Sequence, residues 1–253
     1  MTRWREPIRP VRPSSPRRAR RGVVAAGLLL LTSLPVAARA TDPAAATRPI
    51  DSLETLVATL AADDPAEREA AYRRLLQISP LDLPALRRIV ESGQGRLPAQ
   101  REALRDVVRH VFLVGDNPPA VNRQLSFLGV SAPAFNVEVS PSITGMTFAE
   151  RLPGFPAYAA LEEGDIVIGV AEEPAVALNS ELVLRALREA VPPGSQIHFR
   201  VVRDGWVTDV PITLAPTPNW PVADGQQQQY RRLERAEAYW ETQFEPAFAV
   251  KSS

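Results

Sequence analysis

Between residues 114 and 121 the apolar residues of this chain change their period, and that change limits the fold more than any other feature. Before it they recur about every 3.6 residues, as on an amphipathic helix; after it they alternate in twos, as on half-buried strands. A chain that places its helices first and its strands afterwards predicts an α+β protein.

Residues 50–114 form the helical part. Leu53, Leu56, Val57 and Leu60 share one helical face. Asp64-Pro65-Ala66-Glu67 starts a second helix: Asp accepts from free amides, Pro suits the first turn and Glu stands third. Leu75, Leu76 and Ile78 mark its buried side. Pro80 and Pro84 break the pattern, a short helix follows with Leu86, Ile89 and Val90, and Ser92-Gly93-Gln94-Gly95 ends it. Pro98 opens a fourth helix striped with Leu104, Val107, Val108, Val111 and Phe112. The run Asp63 to Ala71 with Leu75-Leu76 resembles a HEAT-like repeat. A solenoid core needs about three repeats, so a small helical bundle packed on the next domain stays an equal alternative.

The segment 121–216 carries strand signals punctuated by glycine. Met146 and Phe148 alternate with Thr147 and Ala149, and Ile166-Val167-Ile168-Gly169-Val170 is an apolar run fit for a buried strand. Asn179 is placed to cap a helix bearing Leu182, Val183, Leu184, Ala186, Leu187 and Val191, which Pro192-Pro193-Gly194 stops. Ile197, Phe199 and Val201 alternate with His198 and Arg200, Asp204-Gly205 makes a hairpin turn, and Val207, Val210, Ile212 and Leu214 form the last strand.

The ordered series Phe127-Leu128-Gly129-Val130, then Leu152-Pro153-Gly154-Phe155-Pro156-Ala157, then Leu161-Glu162-Glu163-Gly164-Asp165-Ile166, then Pro193-Gly194-Ser195, resembles the PDZ domain in its bacterial, HtrA-like form. The resemblance implies a partly open β-barrel with two helices, and a groove that binds a peptide or a protein C-terminus. By resemblance the amides of Leu128, Gly129 and Val130 hold the ligand carboxylate, with Arg123 as a basic residue nearby. Phe127 and the helix residues Leu182 and Ala186 are placed at the groove, into which the ligand adds as an edge strand. In that form no strand precedes the carboxylate loop, and Pro119 to Gln124 shows no strand pattern. Pro133 falls on the strand that would pair with the ligand and removes one ladder donor there. Glu172-Glu173 stands where the family commonly has an Asn-Gly-like turn.

At the amino terminus, Arg17-Arg18-Ala19-Arg20-Arg21 precedes an uncharged stretch from Gly22 to Ala38 with the core Val23 to Leu31, and Ala38-Arg39-Ala40 fits a cleavage site. Residues 1–40 thus read as a signal peptide, with an uncleaved anchor as the alternative, and 41–49 as an Ala/Pro/Thr linker. A periplasmic or otherwise extracytoplasmic location is expected. Residues 1–40 hold nine Arg and one Glu; taking these from 29 basic and 29 acidic residues leaves 20 against 28. The remainder is acidic, so no nucleic-acid partner is expected, and a membrane only through the N-terminal segment. Residues 224–246 read as a C-terminal helix with Tyr230, Leu233, Glu237, Trp240 and Phe244 on one stripe, either docked on the domains or free to bind a partner.

The chain has no cysteine, which excludes disulfides, thiolate metal sites and Cys nucleophiles. Its two histidines, His110 and His198, form no zinc motif, and there is no nucleophile elbow or phosphate loop. Neither cofactor, metal nor enzymatic activity is expected. The expectation is an exported, non-catalytic interaction protein. A scaffold with an occluded groove, or a substrate-recognition accessory of an envelope protease, are the alternatives.

Overall fold

The computed structural model describes residues 52–93, 95, 97–117, 120–219 and 225–249, with backbone only for 120–124. The signal-like segment 1–40, the linker 41–49 and the Arg123 side chain lie outside the described residues.

Four helices come first: α1 Leu53–Thr59, α2 Pro65–Leu75, α3 Leu83–Glu91 and α4 Pro98–Gly115. Their starts follow local chemistry. Ser52 accepts from the Thr55 amide at 3.2 Å, and Asp64 from the Ala66 amide at 2.9 Å. Ser79 and Asp82 cap the 3-10 turn Pro80–Asp82 reciprocally. The helical core contains Val57, Leu75, Leu86, Val90, Leu104, Val107 and Val111. It is closed from the far end of the chain by α7 Gly225–Gln243 and α8 Glu245–Phe248. Trp240 and Phe244 are buried in that core, their rings stacked 5.6 Å apart, and Trp240 Nε1 donates to Glu245 Oε2 at 2.9 Å. Each such side chain contributes roughly 1.5–3 kcal/mol through burial. The buried face of α7 is Arg232, Ala236 and Trp240, while Tyr230, expected on that face, is exposed.

The sheet runs antiparallel in the order β2-β3-β4-β5-β6, with β2 Val130–Ser140, β3 Ile143–Arg151, β4 Ile166–Val170, β5 Gln196–Arg203 and β6 Trp206–Thr213. It is not closed into a barrel, and β2 and β6 remain its edges, in an α+β fold as the sequence implied. A strand not foreseen, β1 Ala120–Phe127, pairs instead with β7 Ala215–Pro218 as a separate two-stranded ribbon. Its register slips twice, between Ala120 and Asn122 and between Asn122 and Ser126, so no alternation marks it in sequence. The short helix α5 Pro156–Ala160 and α6 Glu181–Ala190 complete this part. Ser180, not Asn179, caps α6. Met146, Val167, Leu178, Phe199, Val201 and Ile212 form the sheet core, and Val183, Leu184 and Leu187 of α6 pack on it. No helix among the described residues is long and apolar enough to cross a membrane.

Polar contacts fasten the helices to the sheet. Tyr158 donates to Asp106 Oδ1 at 2.6 Å, and Tyr72 donates to the other oxygen of that carboxylate. Burial, reinforced by the Asp106 charge, pushes both phenols above their usual pKa. Arg73 of α2 pairs with Glu162, which also meets Arg203; Arg203 holds the buried Asp165 with a two-toothed grip at 2.8 and 2.6 Å. His110 stacks on Tyr158 at 4.9 Å, and its Nδ1 accepts from the Gly154 amide at 3.0 Å.

That bond needs an unprotonated Nδ1, and burial, only partly offset by Asp106, holds the His110 pKa down at about 4 against an ordinary 6.5. Between those values the unfolded chain binds more protons than the folded one, so stability falls as pH falls through that window. Wild-type protein is expected to lose on the order of 2 kcal/mol more than His110→Gln between pH about 7 and about 5, read from urea midpoints. Equal losses in the two proteins would contradict this role.

Candidate functional site

The chain leaves β1 at Phe127, turns through Leu128 and Gly129, and enters β2 at Val130. Leu128 is buried, and its carbonyl accepts from the Ala157 amide at 3.0 Å; the Gly129 carbonyl accepts from Leu152 at 2.8 Å. The turn is thereby tied to α5 and to the end of β3 through its carbonyls. Its amides are not so used: among the described residues those of Leu128 and Gly129 donate to nothing. Val130 faces Arg151, and the Leu152-to-Gly129 bond makes this a non-hydrogen-bonded pair, so the Val130 N–H points away from β3. Three successive donors therefore remain available at one turn, the kind of arrangement that cradles an anion.

Two constraints require glycine at 129. Its φ is +88°, and a Cβ there would overlap the Phe155 Cβ and stand 3.0 Å from the Phe155 Cγ. Phe155 is itself buried and meets Phe127 edge to face at 4.9 Å.

The turn ends a cavity of about 460 Å³ between the free edge of β2 and α6. Its apolar lining is Leu125, Phe127, Leu128, Val130, Pro133 and Leu184; its charged lining is Glu181, Arg185, Arg188 and Glu189. Leu182 is 78% exposed and Ala186 is also exposed, so neither is a groove residue. The cause is the rotation of α6: with Val183, Leu184 and Leu187 on the sheet core, positions 181, 184, 185 and 188 flank the groove. α7 lies elsewhere along β2 and β3, where Gln226, Gln229, Tyr230 and Leu233 face Ser131, Ala132, Ala149 and Glu150.

Arg188 is the basic group at the turn. Its Nε donates to the Ser126 carbonyl at 2.8 Å, one terminal nitrogen donates to Thr217 Oγ1 at 3.3 Å, and its guanidinium lies 5.8 Å from the Phe127 ring centre. Ser126 Oγ returns a bond to the Arg188 carbonyl at 3.2 Å. Burial lowers its pKa, but an arginine stays charged. Among the described residues it has no carboxylate within ion-pair distance, whereas Arg185 pairs with Glu189 at 3.2 Å. Sequence reasoning named Arg123, whose side chain lies outside the described residues, and did not name Arg188. The spacing Glu181, Leu184, Arg185, Arg188 was the signal that could have found it.

On β2, Pro133 stands opposite Phe148 and lines the groove. β2 is an edge strand, the place where a sheet tolerates proline. Ala132 just before it has a φ of +42°, so the free edge loses its regular form there.

No family model and no curated protein matches the chain. Among solved structures it is similar to the serine endoprotease from Yersinia pestis, at 22% identity and a TM-score of 0.27, over 36% of this chain and 29% of that one. It is similar also to the HtrA-type protease AlgW with decapeptide, at 17% identity and a TM-score of 0.33, over 48% of this chain and 35% of that one. The chain thus spans about a third of the length of those proteases.

Gly129→Ala is expected to destabilise the protein by about 3 kcal/mol, the sum of a left-handed backbone cost and overpacking against Phe155. Arg188→Gln, which loses the charged bond to the buried Ser126 carbonyl but leaves the turn's packing intact, is expected to cost about 1.5 kcal/mol. Thermal melting of both variants checks this; equal melting temperatures for Gly129→Ala and wild type would refute the packing account.

Proposed function

We propose that the groove between β2 and α6 binds the C-terminal residues of a protein or peptide, and that the chain acts as a non-catalytic interaction module outside the cytoplasm. One observation carries the reading: the uncommitted amides of Leu128, Gly129 and Val130 stand at the end of a groove where Arg188, with no carboxylate within ion-pair distance among the described residues, lies beside Phe127. A terminal carboxylate satisfies those donors and that cation together. The apolar lining at Leu128, Val130 and Leu184 takes the last side chain, and the β2 edge at Val130 takes the first ladder bond.

The non-catalytic part of the reading rests on the sequence, which carries no nucleophile elbow and no zinc motif. Export rests on the basic and apolar segments within residues 1–40.

Peptides ending in valine with a free carboxylate are expected to bind the full chain about tenfold or more tightly than the same peptides with an amidated end, since a charge-assisted bond contributes about 1.5–3 kcal/mol. Arg188→Gln should shrink that difference. Fluorescence anisotropy reads both. Equal affinity for acid and amide would refute carboxylate capture.

A further inference from the structure

A second cavity lies where the helical part meets the sheet. Its volume is about 530 Å³, and it shares no lining residue with the groove. The turn after α2, the last turns of α4, the loop into α5 and the strands β6 and β7 all contribute to it. Leu76, Ile78, Phe155, Pro156, Ile212 and Leu214 make its walls apolar, and the exposed residues Gln77, Gln196 and Thr213 give it a polar rim. None of the described residues that line it carries a charge. A concave, mainly apolar space of this size with few polar groups suits a small molecule.

His110 is the exception within that apolar interior. It is 2% exposed and lines the cavity from α4. Stacking on Tyr158 and the bond from the Gly154 amide to Nδ1 fix the ring. Since Nδ1 accepts, the imidazole, kept neutral by burial, carries its proton on Nε2. Among the described residues no group accepts from that N–H. Nε2 is not sealed in by protein atoms, and in a residue buried this deeply its open side is the cavity. Asn117, which also lines the cavity, is by contrast committed: its amide donates to the Gly154 carbonyl at 3.3 Å, and its oxygen accepts from Arg232 at 3.1 Å. A buried donor left unpaired is costly, and a ligand that brings one acceptor removes that cost.

We infer that this cavity binds an uncharged, mainly apolar small molecule carrying a carbonyl or comparable acceptor oxygen, which takes the His110 Nε2–H. The hydrogen bond orients the molecule, and the apolar walls supply most of the affinity. A carboxylate is disfavoured, because no cation in the lining offsets its lost hydration. The site is separate from the groove and stands whether or not the groove captures a chain terminus.

The probes are benzophenone, diphenylmethane, which lacks the carbonyl oxygen, and benzoylbenzoate, which adds a carboxylate, each titrated into the full chain by calorimetry. Benzophenone is expected to bind about fivefold more tightly than diphenylmethane, the size of one neutral hydrogen bond. Benzoylbenzoate is expected to bind more weakly than benzophenone. His110→Asn keeps an acceptor near the Gly154 amide but loses the Nε2–H, so it should bring benzophenone down to diphenylmethane while leaving diphenylmethane within about twofold of wild type. Val114 lines the same cavity and is 37% exposed, so Val114→Trp should fill the space without entering the core and abolish binding of both; it decides the matter even if His110→Asn fails to fold. If no probe binds, if ketone and hydrocarbon bind wild type equally, if folded His110→Asn keeps the difference, or if Val114→Trp changes nothing, the site is overturned. None of these results bears on carboxylate capture in the groove.

Discussion

Phe155 is the side chain on which the groove and the helical core both depend. It packs against Gly129, meets Phe127 edge to face, and has the Arg232 guanidinium of α7 5.0 Å from its ring centre. Arg232 is buried and donates to the Leu113 carbonyl at 2.9 Å and to Asn117 Oδ1 at 3.1 Å, at the end of α4. Next to Phe155, Gly154 gives its amide to His110, and a Cβ on it would come within 2.6 Å of the Leu113 Cβ. The loop from Leu152 to Phe155 is thus pressed on one side by α4 and α7 and supports the Gly129 turn on the other. Aromatic and cation–π contacts of this kind each add about 1 kcal/mol beyond burial. Their larger effect is positional, because Phe155 leaves the turn no second arrangement.

This packing explains why the C-terminal helix belongs to the groove's support although it lines none of it. Trp240 and Phe244 anchor one end of α7 in the helical core, and Arg232 reaches Phe155 two turns earlier. The Asp106 carboxylate with Tyr72 and Tyr158, and the Arg73, Glu162, Arg203 and Asp165 chain, fix α2 and α4 to the same sheet. Each of these groups is buried or half-buried and answered by a partner, so the polar seam costs little and specifies one docking geometry.

The elements legible in the sequence were those written by local rules. Asp64-Pro65 and Pro98 start helices where the caps require, Ile166 to Val170 is the buried strand its composition implies, and Asp204-Gly205 turns the last hairpin. What could not be read was set by contacts distant in the chain. β1 has no alternating pattern because its partner is a short, slipped strand some 90 positions later. The rotations of α6 and α7 were not legible: α6 turns Val183, Leu184 and Leu187 to the sheet core, and α7 buries the mixed stripe Arg232, Ala236 and Trp240. Arg232 is buried where Tyr230 was expected, and Arg188 reaches the groove where Leu182 and Ala186 were. Hydrophobicity alone ranks these residues in the wrong order, since an arginine stem packs as well as an aliphatic chain when its head finds carbonyls.

The turn and the helix that flank the groove differ in how much change they tolerate. Gly129 cannot accept a side chain without displacing Phe155, and Leu128 is part of the sheet core, so the turn is bound to the stability of the whole unit. α6 is held through Val183, Leu184 and Leu187 on the sheet core and through the bonds of Arg188 to Ser126 and Thr217, while Glu181 and Arg185 on its groove edge are exposed. A substitution at Glu181 or Arg185 alters the charge of the groove wall without entering the core. Stability and groove charge are therefore carried by different elements: the turn is tied to the core through Leu128 and Phe155, and the helix edge sets the charge along the groove.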